Sequence, residues 1–237
     1  MDAGKTEVSC AFEILFSKSV PHILEKIYFS LDYESFLACF RVNRTWNQLL
    51  SSESYQKKFD KLLIEKEKND KKLWNISRKG NVDEVKRLLS SGGWIDVNCV
   101  DGSDQNTPLI RATWGNHKDV AQVLLNRGAE VDKANKHGLT ALHAAAKSVY
   151  KDMVQVLLDG GAEHSREDNK GQTPLHLASI SGHPNVVQLL LAKGADRNKV
   201  NRSGKTPLHL ATESVAMCNG VPLTLSVYQD VVQLLRQ

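Results

Sequence analysis

From Thr107 onward the apolar and polar positions of this chain repeat with a fixed period. Thr-Pro-Leu, or its near copy Thr-Ala-Leu, begins at Thr107, Thr140, Thr173 and Thr206, each 33 residues after the last. Leu109, Leu142, Leu175 and Leu208 follow two positions on, and Ala112, Ala145, Ala178 and Ala211 five positions on. Leucine pairs recur at Leu124-Leu125, Leu157-Leu158 and Leu190-Leu191, and Gly128, Gly161 and Gly194 close the units. Self-similarity at such a period predicts a stack of small supersecondary units, because one unit cannot bury its apolar face alone. Each unit reads as two antiparallel helices, with the alanines allowing close approach. The Thr hydroxyl suits the N-cap of the first helix, and Pro108, Pro174 and Pro207 suit its first turn, where a missing N–H costs nothing. Gly138, Gly171 and Gly204 mark a hairpin turn between units, and Gly128, Gly161 and Gly194 fit left-handed helix C-caps.

The two ends of the array depart from the pattern. Leu73 to Gly80 and Val85 to Leu89 match a unit, but no Thr-Pro precedes them, as expected of a capping repeat with no upstream neighbour. Three extra residues before the next unit predict a longer finger carrying Trp94 and Ser103 to Asn106. In the last unit roughly a dozen residues are inserted around 215–228, expected to loop out between its helices. Ile110 replaces the histidine found at His143, His176 and His209, and Ala141 replaces the usual proline.

Residues 12–55 do not share the period. Ile23, Ile27 and Leu31 fall on one helical face flanked by Leu24, and Pro21 opens that helix. A second helix is expected from about Tyr33 to Arg41 and a third from about Asn43 to Leu50. Residues 1–11 read as a flexible N-terminus. Residues 56–71 mix Lys57, Lys58, Lys61, Lys66, Lys68 and Lys71 with Asp60, Glu65, Glu67 and Asp70, predicting a solvated connecting helix.

The units over 72–237, about five in number, resemble ankyrin repeats; the stretch from Asp168 through Thr173-Pro-Leu-His-Leu-Ala to Gly194-Ala195-Asp196 is a near-consensus copy. The resemblance implies an all-α solenoid with short β-hairpin fingers, in which the recurring imidazole bonds to backbone near the finger and ties neighbouring units. With Ile110, one such tie is missing. The front element resembles the F-box, a three-helix motif that docks on the Skp-type adaptor of cullin-RING ubiquitin ligases. That resemblance assigns docking to Pro21, Ile23, Leu24, Ile27, Leu31, Phe36, Val42 and Trp46; only His22 separates Pro21 from Ile23, a shortening expected to weaken docking.

Composition narrows the function. Of 237 residues 41% are hydrophobic and 24% charged, ordinary for a globular chain, and a net charge of +4 is too mild to imply nucleic acid. No apolar run approaches the roughly 20 residues that span a bilayer, and the first ten residues lack a secretory pattern, which points to the cytoplasm or nucleus. Cys10, Cys39, Cys99 and Cys218 show no metal-ligand spacing and read as reduced thiols. No catalytic, cofactor or metal constellation is present: Gly4-Lys5-Thr6 and Gly204-Lys205-Thr206 lack the upstream glycine of a phosphate loop.

Binding to a protein is therefore the expected role, by a monomer, at positions that folding leaves free. By phase these are Lys136, His137, Leu139, Asn169, Lys170, Gln172, Arg202, Ser203 and Lys205 on the fingers, and Trp114, Lys147, Ile180 and Glu213 at the ends of the first helices. The finger cations predict a preference for acidic or phosphorylated surfaces. Two roles remain open: an adaptor bringing a substrate to a Skp/cullin ligase, or an ankyrin scaffold or inhibitor with no ligase attached.

Overall fold

A computed structural model describes residues 53–91, 95–217 and 222–236. The expected three-helix element, with Pro21, Ile23, Leu24, Ile27, Leu31, Phe36, Val42 and Trp46, lies outside the described residues, as does Trp94. The chain divides into two compact units, 1–65 with 92–94 and 66–91 with 95–237, and the second carries the repeats.

Ten helices are present among the described residues: α1 Glu53–Lys79, α2 Val82–Ser90, α3 Pro108–Trp114, α4 Lys118–Asn126, α5 Ala141–Lys147, α6 Lys151–Asp159, α7 Pro174–Ile180, α8 Pro184–Ala192, α9 Pro207–Met217 and α10 Pro222–Arg236. After α1 they alternate as first and second helices of successive units. First helices pack on first helices (α3 on α5, α5 on α7, α7 on α9), and second on second (α2 on α4 through α8 on α10), giving two layers. Leu109, Leu142, Leu175, Val120, Val154, Leu124, Leu157 and Leu190 are buried between the layers. Burying each such side chain contributes about 1.5–3 kcal/mol, so neighbouring units stabilise one another chiefly through this seam.

The first helices begin where the Thr-Pro motif predicts. Thr107 Oγ1 accepts the Ile110 N–H at 3.2 Å, Thr140 Oγ1 the His143 N–H at 3.4 Å, and Thr206 Oγ1 the His209 N–H at 3.3 Å. The fingers, expected as β-hairpins, are turns: there is no strand among the described residues. Each finger is closed by an Asx turn instead. Asn135 Oδ1 accepts from the N–H groups of His137 and Leu139, and Asp168 and Asn201 repeat the device two and four residues on. With a side chain taking the finger's own donors, a single backbone bond joins each finger to the one before: Lys136 N–H to Asp104 O, Asn169 N–H to His137 O, and Arg202 N–H to Lys170 O, each 3.0 Å.

The last unit also differs from expectation. The described part of the insertion lengthens its helices, α9 having 11 residues where α3, α5 and α7 have seven and α10 having 15 where α4, α6 and α8 have nine, while 218–221 between them lie outside the described residues. Helical pairing satisfies their backbone groups without a new core.

Buried histidines tie the fingers to the helices. Thr140 N–H donates to His143 Nδ1 at 3.3 Å, so the ring proton sits on Nε2 and is donated to the Gln172 carbonyl of the next unit at 3.0 Å. His176 repeats this, receiving from Thr173 N–H and donating to the Lys205 carbonyl at 3.2 Å. Where Ile110 removes the tie, the buried Asn135 Nδ2 donates to Asn106 Oδ1 at 2.9 Å. Trp74 holds the histidine's phase in the first unit, and its Nε1–H reaches Asp101 Oδ2 at 3.1 Å.

Two predictions follow from this packing. Gly138 has φ +76° and a Cβ there would lie 2.7 Å from Asn169 N, whereas Gly128, at φ +84°, faces open space. Gly138→Ala should therefore lower the urea-unfolding free energy by more than Gly128→Ala, whose left-handed strain alone costs about 1–2 kcal/mol; equal losses would contradict the finger contact. Burial pushes the His143 and His176 imidazoles below their ordinary pKa, despite their bonds to the Gln172 and Lys205 carbonyls. Below about pH 6.5 the unfolded chain then binds more protons, so their contribution is full above that pH and is lost on acidification. The urea midpoint should fall between about pH 6.5 and 5, and the fall should be smaller in His143→Gln/His176→Gln.

Candidate protein-binding site

The fingers and the C-terminal ends of the first helices carry the side chains that the packing leaves over. At one phase of the first four units stand Arg78, Trp114, Lys147 and Ile180, and the last unit has the exposed Glu213 there. Arg78 and Lys147 are exposed, Trp114 is 39% exposed, and Ile180 is half-buried. Their backbones are held even though their side chains face outward. The Arg78 carbonyl accepts from His117 Nε2 at 3.0 Å, the Lys147 carbonyl from His183 Nε2 at 3.1 Å, and the Ile180 carbonyl from the Tyr228 hydroxyl at 2.8 Å. His117 and His183 precede the second helices and Tyr228 lies within α10, so each of the four but Trp114 is pinned by the following unit.

This set of ties depends on small residues beside it. A Cβ on Gly80 would sit 2.3 Å from the His117 ring, and one on Gly182 would be 3.0 Å from the Tyr228 ring. The ring of the next unit thus lies directly on the turn that ends the first helix. Sequence reasoning assigned inter-unit ties to the histidine of the Thr-Pro-Leu-His motif and missed this second set. Gly-Asn-His117 and Gly-His183, at equal phase, were the signal.

The finger cations divide into two kinds. Lys136 Nζ lies 2.7 Å from Asp104 Oδ1 and also donates to the Ser103 carbonyl, while His137 Nε2 is 3.7 Å from the same carboxylate. The hydrogen bond from Lys136 holds the Asp104 carboxyl below its usual range. Lys205 is likewise taken up by Glu213 at 2.8 Å. By contrast Lys170, Arg202 and Lys147 are exposed and have no ion-pair partner among the described residues. Arg202 does lie in the field of Glu167, but that carboxylate is held first by Lys199 at 2.8 Å. Asn169 donates its side-chain amide to the Lys136 carbonyl, which makes it a strut between fingers. The uniform basic row expected from sequence is thus broken, because Asp104 and Glu213 fall opposite Lys136 and Lys205 in space.

A further cluster was not anticipated. Arg111 lies between two indoles, 4.4 Å from the centre of the Trp74 ring and 5.0 Å from that of Trp114. Its Nε and Nη2 donate to Asp101 Oδ2 at 3.2 and 2.5 Å, and Asn106 Nδ2 joins at 3.0 Å. Burial works to raise the Asp101 carboxyl, but the hydrogen bonds from Arg111 and Asn106, with the Asp104 and Asn106 amides, hold it well below the carboxylate range. Trp114 is thus held against a guanidinium while 39% of it stays exposed. Arg111 takes the phase of Ala144 and Leu177, so periodicity marks it only as an exception. Among the described residues no group of three or more His, Cys, Asp and Glu side chains could hold a metal, and no helix is long and apolar enough to cross a membrane.

Comparison with known proteins agrees with this geometry. The family described as Ankyrin repeats (3 copies) matches residues 46–135, 73–168 and 142–236. An ankyrin repeat-containing protein of Saccharomyces cerevisiae is 38% identical over 86 residues, covering 36% of this chain and 16% of the yeast protein. A putative ankyrin repeat protein of Rickettsia felis is 38% identical over 80 residues, covering 34% of each chain. The human transient receptor potential cation channel subfamily A member 1 is 38% identical over 74 residues, covering 31% of this chain and 6% of the channel. The chain thus spans about a third, or much less, of the length of these curated relatives. With most of its length matched in overlapping copies, each built from the stacked helix pairs described above, this chain belongs to the ankyrin-repeat family.

Proposed function

We propose that the chain is an adaptor, working in the cytoplasm or nucleus, that holds a protein on its repeat array while residues 12–55 dock on the Skp-type subunit of a cullin-RING ubiquitin ligase. What the fold itself supports is the coarser half: an ankyrin array is a protein-binding scaffold. The observation that carries the binding half is the row of Arg78, Trp114, Lys147 and Ile180, whose side chains are left out of a core that buries the rest of α5 and α7 and most of α3. The docking half rests on the sequence pattern of Pro21, Ile23, Leu24, Ile27, Leu31, Phe36, Val42 and Trp46. On this reading the chain is no enzyme. It makes no bond itself, and raises the local concentration of a bound substrate at the ligase. Substrate contact is assigned to Trp114, Lys136, His137, Lys147, Asn169, Lys170, Ile180, Arg202 and Lys205, with the free cations Lys147, Lys170 and Arg202 favouring an acidic or phosphorylated surface.

Affinity purification of the tagged chain beside a Leu24→Asp/Ile27→Asp variant tests the adaptor. The wild type should recover the Skp-type subunit and a cullin, and the variant should lose both while keeping proteins held by the array. Absence of both from the wild type would leave a scaffold or inhibitor with no ligase attached.

A further inference from the structure

The row at the ends of the first helices alternates in character over the first four units, cation at Arg78, indole at Trp114, cation at Lys147 and aliphatic at Ile180, and the last unit has Glu213, paired with Lys205, at the same phase. We infer that this row receives an amphipathic α-helix of the protein partner, whose contacting face alternates acidic and apolar side chains at intervals of about seven residues. This rests on the reading that the array binds a protein, and specifies which kind of segment it takes.

Spacing and hydrogen bonding select a helix over an extended segment. Packed helices stand about 8–10 Å apart, so row residues recur at about that distance from unit to unit. Along an α-helix, at about 1.5 Å per residue, the wider spacing corresponds to roughly seven residues, which return to nearly the same face. The row offers side chains only. The backbone at the ends of the first helices is already bonded, with Arg78, Lys147 and Ile180 carbonyls committed to His117, His183 and Tyr228. No strand edge is present among the described residues to pair with an extended segment. An extended segment would lose backbone hydration there without recovering hydrogen bonds, whereas a helix brings its own satisfied.

Charge fixes the rest. Arg78 and Lys147 carry no ion pair among the described residues, so acids on the partner meet available cations. Lys136 and Lys205 are already neutralised by Asp104 and Glu213. Trp114 presents a rigid apolar face, because Arg111 holds its ring from behind. An aromatic fixed in that way loses little freedom on binding and suits an anchor.

The test measures binding of labelled synthetic peptides to the full chain by fluorescence anisotropy. The ordered probe is an alanine- and glutamine-rich peptide bearing Glu, Leu, Glu and Leu about seven residues apart. It should bind saturably and gain helical circular dichroism, and a peptide of the same composition with those residues scattered around the helix should bind at least about tenfold more weakly. Lys147→Glu and, independently, Arg78→Glu should each weaken the ordered probe about tenfold, and Lys136→Glu less than about threefold; replacing a probe Glu by Lys should recover affinity for Lys147→Glu. The inference is overturned if the ordered probe does not bind, if the scattered peptide binds equally, or if Lys136→Glu matters as much as Lys147→Glu. Each of those results can occur while the tagged chain still recovers its ligase subunits, so failure here is separate from failure of the adaptor reading.

Discussion

A helix pair of this size has two apolar flanks and can cover neither, so the structure depends on each unit being closed by the next. Hydrophobic burial supplies most of the energy, through leucines and valines shared across the seam. Burial alone is non-directional, however, and permits units to slide or rotate on one another. Register comes from directional bonds at two levels. Near the fingers, His143 and His176 each span from their own Thr to the carbonyl before the next Thr. At the far end of the first helices, His117, His183 and Tyr228 cap a carbonyl of the preceding unit. Each first helix so tied is held at one or both ends.

That arrangement decides what is left for function. A carbonyl pinned to the next unit fixes the Cα–Cβ direction of its residue, so Arg78, Lys147 and Ile180 project from a backbone that is already ordered. A partner meeting such a surface orders fewer groups on binding. Trp114, the one row residue without a tied carbonyl, is fixed instead through its ring by Arg111 and the buried carboxylate of Asp101. The same sign of order shows in the fingers, where Asx turns and the chain of backbone bonds from Asp104 to Arg202 set the spacing of the tips.

Much of the fold was legible because its causes are local and periodic. Thr-Pro at the start of a helix, glycine at a left-handed turn and leucine pairs on an inner face each specify their own surroundings, and repetition multiplied the signal. What was not legible depends on contacts across units at changing offsets. Asp104 meets Lys136 across two fingers of unequal length, and Glu213 meets Lys205 from a helix, so a list of finger positions could not show that half of the basic row is neutralised. Arg111 stands at a phase that holds alanine or leucine in the neighbouring units, and its role emerges only with Trp74 and Trp114 on either side of it. The fingers were expected as hairpins, yet Asn135, Asp168 and Asn201 spend the donors that a strand pairing would use. In the last unit the extra residues up to Met217 and from Pro222 extend α9 and α10, and Asn219-Gly220 with Pro222 marks in sequence the break between them.

Native-state hydrogen exchange on the whole chain addresses the mutual closure of units most directly, because it reads the opening free energy of each helix without altering a residue. If cross-unit ties and shared burial hold the array, the amides of α5 and α7 share one high opening free energy, and α9 and α10, with a neighbour on one side only among the described residues, open more readily. Separate and unrelated values for α5 and α7, or protection in α9 equal to theirs, would contradict that account and make each helix pair its own unit of stability.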